Sequence, residues 1–276
     1  MENNNRIQVR KIVLESNINE KSLCFCGTIY ANTKREMVQQ AKAYVEQGVD
    51  MLEIRLDALM KRGRKFLHFF GRLIPRMVIF SGSIEAIRGF APDIPILMTL
   101  RSKGEGGQFC GNKQAYDDML EMMGFSNDVD MIDVELSDVE GKNQEEELLE
   151  YFLMYEKPVV LSKHILSKVP FEKRIEIAEK ALQIQEESTA TVCKLAVYVE
   201  NAEELRQYRE LLLSHEKWMA RPHIGIAMGP KGAESRYNKQ WCGSCMTFVC
   251  DKKCVAPGQM SMEEMKRLCY NSKTES

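Results

Sequence analysis

No apolar stretch in the sequence is long enough to cross a bilayer, and the first residues, Met1-Glu2-Asn3-Asn4-Asn5, lack the apolar core of a secretory signal. An excess of charge of one sign is missing as well. Lys+Arg 38 against Asp+Glu 40 gives a formal net charge of −2, which removes any general electrostatic reason to expect nucleic acid or an anionic membrane as a partner. No linker, low-complexity stretch or internal repeat divides the 276 residues, so a single domain over 1–276 is expected, with 1–21 as an N-terminal extension. Nine cysteines, an odd number in a chain of this size, suit a reducing compartment better than a disulfide framework. Together these absences point to the cytoplasm.

The sequence does hold a rhythm. Residues 1–21 are polar apart from Ile7, Val9 and the group Ile12, Val13 and Leu14, a pattern that predicts a short hairpin. Strand-like segments then recur at 23–30, 51–57, 95–101, 130–136, 158–164, 191–199, 222–228 and 244–250. Helical segments follow them at 33–47, 62–90, 112–124, 143–155, 170–187, 201–214, 232–240 and 261–270. Ser261 with Glu264 makes a capping box for the last helix. Gly71 and Pro75 predict a break in the second. Its basic and aromatic start (Lys61, Arg62, Arg64, Lys65, Phe66, Phe69, Phe70) reads as a solvated amphipathic helix rather than a nucleic-acid patch. Eight strands, each trailed by a helix, predict an α/β fold, a (β/α)8 TIM barrel with a short N-terminal hairpin.

Alternation along the strands locates the chemistry. Leu52, Ile54 and Leu56 fall on one face and Glu53, Arg55 and Asp57 on the other. Thr99 and Arg101, Asp133 and Glu135, and Ser162 and His164 repeat the polar face on the next three strands. Parallel strands wrapped by helices need their apolar face outside, so the charged face lines the barrel interior. Charges of both signs near strand C-termini mark an active site in this architecture; the alternative is an interior ion-pair network without catalysis. Within the apolar, β-branched run Thr191-Val192-Cys193-Lys194-Leu195-Ala196-Val197-Tyr198-Val199, Lys194 is either an edge-strand lysine pointing at water or a buried amine. A buried amine has a lowered pKa and is a nucleophile toward carbonyl carbon. His164, on the neighbouring strand, supplies the proton-transferring imidazole that imine chemistry requires. Glu105, four residues beyond Arg101, can orient that imidazole, and Arg236, in the loop after strand seven, can hold a carboxylate bidentately.

These residues fall in a recognisable order: Leu52-Glu53-Ile54-Arg55-Leu56-Asp57, Thr99-Leu100-Arg101 with Glu105-Gly106-Gly107, Asp133-Val134-Glu135-Leu136, and Ser162-Lys163-His164. After them come Lys194-Leu195-Ala196-Val197, Met228-Gly229-Pro230-Lys231-Gly232 with Ser235-Arg236, and Ala256-Pro257-Gly258-Gln259. From about residue 22 to 268 the chain resembles type I 3-dehydroquinate dehydratase. The resemblance implies a barrel enzyme, a homodimer, converting the small-molecule substrate 3-dehydroquinate to 3-dehydroshikimate without metal or external cofactor. Lys194 would form a protonated imine with the ketone. His164 would remove the acidified C2 hydrogen, protonate the departing C1 hydroxyl in a syn elimination, and assist imine hydrolysis. By the same carry-over Arg236 and Gln259 bind the carboxylate end, Glu53, Arg55 and Arg101 hold ring hydroxyls, and Met228 and Phe248 are apolar walls.

The chain departs from that family's pattern at Val255, where serine is usual, and at Lys163, Ile165 and Leu166 around the histidine. Other readings attach to other features. An imine-forming aldolase would use the same lysine but needs a phosphate or aldehyde site. Cys242, Cys245, Cys250 and Cys254 form C-x2-C-x4-C-x3-C, readable as a redox motif or metal knuckle of a thiol- or metal-binding relative. The first pair precedes a strand rather than opening a helix, and Cys245 and Cys250 would face opposite ways, so buried structural thiols are expected instead. Gly229 to Gly232 could offer amides to a phosphate, which the implied reaction does not need. Pro257-Gly258 reads as a mobile turn in a closing loop.

Overall fold

Strands form where apolar and polar side chains alternate, and the alternation sorts them to two sides of one sheet. The structure is a computed structural model and describes residues 5–19, 23–60, 69–137, 139, 145–251 and 254–274. The eight expected strands are β3 (Cys24–Ile29), β4 (Met51–Arg55), β5 (Ile96–Thr99), β6 (Met131–Glu135), β7 (Val159–Ile165), β8 (Val192–Tyr198), β9 (His223–Met228) and β10 (Met246–Cys250). Two more, β1 (Arg6–Val9) and β2 (Ile12–Glu15), make the predicted antiparallel hairpin. A two-residue strand, β11 (Met260–Ser261), adds parallel to β10, giving the order β11-β10-β3-β4-β5-β6-β7-β8-β9.

Along β4, Met51 packs inside and Leu52 and Ile54 pack outside, while Glu53 and Arg55 return inside above Met51. The other strands follow suit. The interior is therefore layered, with Cys26, Met51, Leu97, Met131, Val160, Val192 and Ile224 making an apolar floor and the charged residues lying above it. The hairpin closes the lower end, putting Val9 and Leu14 against that floor and Ser16 against the backbone of His223. The circle is completed between β9 and β10, where Cys245 N–H donates to His223 O at 2.9 Å and Ser244 Oγ accepts from Gly225 N–H at 3.0 Å.

Helices α1 (Lys34–Gln47), α2 (Phe69–Phe90), α3 (Lys113–Gly124), α4 (Glu146–Met154), α5 (Phe171–Glu187), α6 (Ala202–Ser214), α7 (Glu216–Met219), α8 (Glu234–Tyr237) and α9 (Met262–Thr274) surround the sheet. Two expectations fail here. Helix α2 runs unbroken through Gly71 and Pro75, because burial of Phe80, Ile84 and Ile87 outweighs local propensity. The helix expected at 232–240 is only the four residues of α8; Asn238 then caps a separate 3-10 turn through Gln240 N–H at 3.0 Å. Ser261 and Glu264 do form the capping box, with reciprocal bonds of 3.1 and 3.2 Å. Residues Met1 to Asn4, Lys61 to Phe66, and 143–144 of the expected fourth helix lie outside the described residues. Among the described residues no helix is long and apolar enough to cross a membrane.

Candidate active site

The sixth strand of the barrel, β8, carries Lys194 at its middle, paired in register with Ser162 of β7 and Ile224 of β9. Its side chain points inward and is 4% exposed, so of the two readings left open by the sequence the buried amine is the one observed. The ammonium lies 3.4 Å from Asp133 Oδ2 and 4.0 Å from the centre of the Phe248 ring. Burial lowers the Lys194 pKa, and Asp133 opposes that shift. The result is a cation held in place whose free amine is easier to reach than that of a solvated lysine.

Asp133 is the hub of the interior. Fully buried on β6, it takes Arg101 Nη2 at 2.9 and 3.0 Å, Ser162 Oγ at 2.7 Å, and Lys194. Burial works against its charge, but Arg101, Lys194 and Ser162 outweigh it and hold the carboxyl below its ordinary value. Arg101 Nη1 serves Glu135, Ser162 and Glu105 at 3.0, 3.0 and 3.3 Å, so both terminal nitrogens are engaged within the protein. The sequence showed Asp133 and Glu135 as interior charges but assigned them no role; nothing in a strand pattern says which of several carboxylates will face the amine. Asp133→Ala leaves Lys194 and Arg101 short of a buried counter-charge and is expected to cost about 3–5 kcal/mol, measurable by urea unfolding.

His164 is on the same face, two residues beyond Ser162 on β7, and Glu105 orients it. Glu105 Oε2 accepts from the His164 backbone N–H at 3.0 Å and lies 3.0 Å from Nδ1. The loop carrying Glu105 is pinned by Gly107, whose N–H donates to Ser102 O at 2.7 Å. A Cβ at Gly107 would come within 2.0 Å of Arg101 O, which explains the glycine there. Burial, followed by Arg101, Lys194, Arg55 and Lys163, holds the His164 pKa well below its ordinary value, so the ring is neutral and available as a base. Burial and Glu135 push the Glu105 carboxyl up to about 8, against the pull of Lys163 and Arg101.

The opposite wall differs in character. Arg236 is 2% exposed and its Nη2 donates to Pro257 O at 2.9 Å. Its Nε meets no acceptor, and among the described residues it has no carboxylate partner. Burial alone lowers its pKa to about 10. A buried guanidinium in that condition is a receptor for an anion from outside the chain. Gln259 beside it donates from Nε2 to Thr28 Oγ1 and accepts from Val255 N–H, both at 3.1 Å, which folds the 255–259 loop over the cavity. Glu53 accepts from Thr99 Oγ1 at 2.9 Å, and Arg55 is held by Asp57 at 2.7 and 2.9 Å. Met228 and Phe248 complete the lining.

All ten residues singled out from the sequence thus face one cavity at the strand C-termini. Of the departures from the family pattern, Val255 and Leu166 line this cavity, Lys163 reaches Glu105, and Ile165 packs in the outer core. The cysteines do not form a knuckle. Cys242 and Cys245 are buried free thiols, the latter pushed up to about 12 chiefly by burial, while Cys250 and Cys254 are joined in a disulfide. That disulfide differs from the unpaired thiols expected; the two Cα atoms lie 5.0 Å apart. Among the described residues no group of three or more His, Cys, Asp or Glu is arranged to hold a metal ion.

Compared with known proteins, residues 25–276 match the family described as Type I 3-dehydroquinase. The chain is 28% identical over 261 residues to 3-dehydroquinate dehydratase of Clostridioides difficile (strain 630), covering 94% of each protein. It is 31% identical over 228 residues to that of Escherichia coli O8 (strain IAI1), covering 82% of this chain and 84% of the relative. The fold is similar to the crystal structure of 3-dehydroquinate dehydratase from Geobacillus kaustophilus HTA426, at a TM-score of 0.81 and 25% identity, with 98% of this chain and 97% of the other covered. It is also similar to the type I enzyme from Clostridium difficile with covalently modified comenic acid, at a TM-score of 0.78, 25% identity and 98% of both chains.

Proposed function

Since the chain belongs to the type I 3-dehydroquinase family, whose members act in the shikimate pathway, we propose that it dehydrates 3-dehydroquinate to 3-dehydroshikimate through an imine on Lys194. The observation that carries this reading is the buried Lys194 amine in one cavity with the neutral, Glu105-oriented His164. Lys194 releases a proton and its amine adds to the C3 ketone; the oxygen takes that proton and one more from the nitrogen and leaves as water, giving a protonated imine that draws electrons from C2. His164 takes the C2 hydrogen as a proton. The C1–O bond then breaks as the same imidazole returns that proton to the hydroxyl, releasing water. A second water hydrolyses the imine and frees Lys194, so one water is lost overall.

Arg236 and Gln259 receive the carboxylate in this reading, for which the unpaired guanidinium is the support. Glu53, Arg55 and Arg101 meet ring hydroxyls, although Arg101, already engaged, contributes mainly by fixing Asp133 and Glu105. Met228 and Phe248 wall the ring. The test is reduction with borohydride in the presence of 3-dehydroquinate, followed by mass analysis of the peptide containing Lys194. A reduced adduct is expected on that residue; a folded protein with no added mass there would refute the imine route.

We also infer a homodimer in the cytoplasm. Phe125, Leu153, Met154 and Tyr155 are exposed on or beside α3 and α4, giving a second copy apolar area to cover, and seven of the nine cysteines are free thiols. Sedimentation equilibrium at micromolar concentration would return a monomer mass if the pairing is wrong.

A further inference from the structure

Alternation along β7 points Lys163 away from the barrel axis, yet its ammonium lies over the top of β6. There it donates to Leu136 O at 2.7 Å and Ser137 O at 3.2 Å and sits 3.2 Å from Glu105 Oε1. The side chain is only 12% exposed. Glu105 uses its other oxygen for His164, through both the backbone N–H and Nδ1. The two oxygens of one buried carboxylate are thus divided between a lysine and the imidazole.

The protonation state of Glu105 then fixes which nitrogen of His164 carries hydrogen. Ionised, Glu105 accepts from Nδ1–H and leaves Nε2 with its lone pair free to act as a base. Protonated, it donates to Nδ1, and Nε2 must carry the hydrogen, which is the wrong tautomer for taking a proton from substrate. The charged groups around Glu105 are Arg101 at 3.3 Å, Lys163, and the repelling Glu135, which Arg101 already neutralises in part. A second cavity, bounded by Lys163, Glu105, Ser102 and Ser137, adjoins this side.

We propose that Lys163 is a positioning residue that favours the ionised form of Glu105 and thereby lowers the pH at which His164 takes the Nδ1–H tautomer. The proposal rests on the dehydratase reading for its kinetic consequence but not for its structural one. Without Lys163, the remaining balance of burial and Glu135 against Arg101 raises the Glu105 pKa further above about 8, so the basic tautomer is reached only at higher pH.

The test compares wild type, Lys163→Met and Lys163→Arg in two ways. Nitrogen-15 NMR of the four histidines, with His164 assigned by loss of its signals in His164→Asn, reads the tautomer without turnover. The pH at which Nδ1–H becomes dominant is expected to rise by about one unit or more in Lys163→Met and to return close to wild type in Lys163→Arg. The ascending limb of kcat for 3-dehydroquinate is expected to move by the same amount. An unchanged tautomer midpoint in Lys163→Met, or a kcat lowered equally at every pH with a lowered Tm, would overturn the proposal in favour of a role limited to bracing Leu136 and Ser137. Absence of wild-type turnover together with a shifted tautomer midpoint would count against the dehydratase reading and leave the assignment of Lys163 standing.

Discussion

Lys194→Met is expected to abolish turnover of 3-dehydroquinate, with a loss of about four orders of magnitude or more, since among the described residues no other amine lines the cavity to form the imine. Methionine fills nearly the same volume, and Asp133 keeps Arg101 and Ser162 as partners when the ammonium is gone. The fold should therefore survive, with far-ultraviolet circular dichroism and Tm close to wild type. Borohydride in the presence of substrate should add no mass to the variant. Residual turnover above about one part in a hundred would mean that the reaction proceeds without the covalent step, because loss of a nucleophile costs far more than that.

His164→Ala separates the two halves of the reaction. Imine formation depends on Lys194 and its surroundings, so trapping should still label that residue with the substrate-derived adduct. Elimination lacks its proton carrier, and kcat should fall by about 10²- to 10⁴-fold. Steady-state rates paired with mass analysis of the trapped species check both statements at once. Undiminished turnover, or trapping of product alone, would remove the imidazole from the role assigned to it.

Much of this arrangement is legible in the sequence, and for a definite reason. A barrel wrapped in helices forces apolar residues outward and leaves the interior to whatever else the strand carries, so period-two alternation in segments such as 51–57 reports the site directly. Residues on loops, Glu105, Arg236 and Gln259, had no such pattern. Distance from a strand end locates Arg236 and Glu105, and resemblance alone locates Gln259. What the sequence could not disclose were the pairings. Arg101 reads as a cation free to meet substrate, but the structure gives both its terminal nitrogens to Asp133, Glu135, Glu105 and Ser162. Lys163 falls on the outward face of β7, but a four-carbon stem is long enough to double back over a strand end. The break expected at Gly71 and Pro75 failed because propensity is a weak guide where a helix buries an apolar stripe.

The placement of Asp133 has one more consequence. An ammonium and the iminium that replaces it carry the same unit of charge at the same nitrogen, so a carboxylate 3.4 Å away serves as counter-ion to both. Covalent capture of the ketone therefore asks for no new compensating charge at that atom and little reorientation of neighbouring dipoles. The floor of the barrel can stay rigid while the chemistry passes over it.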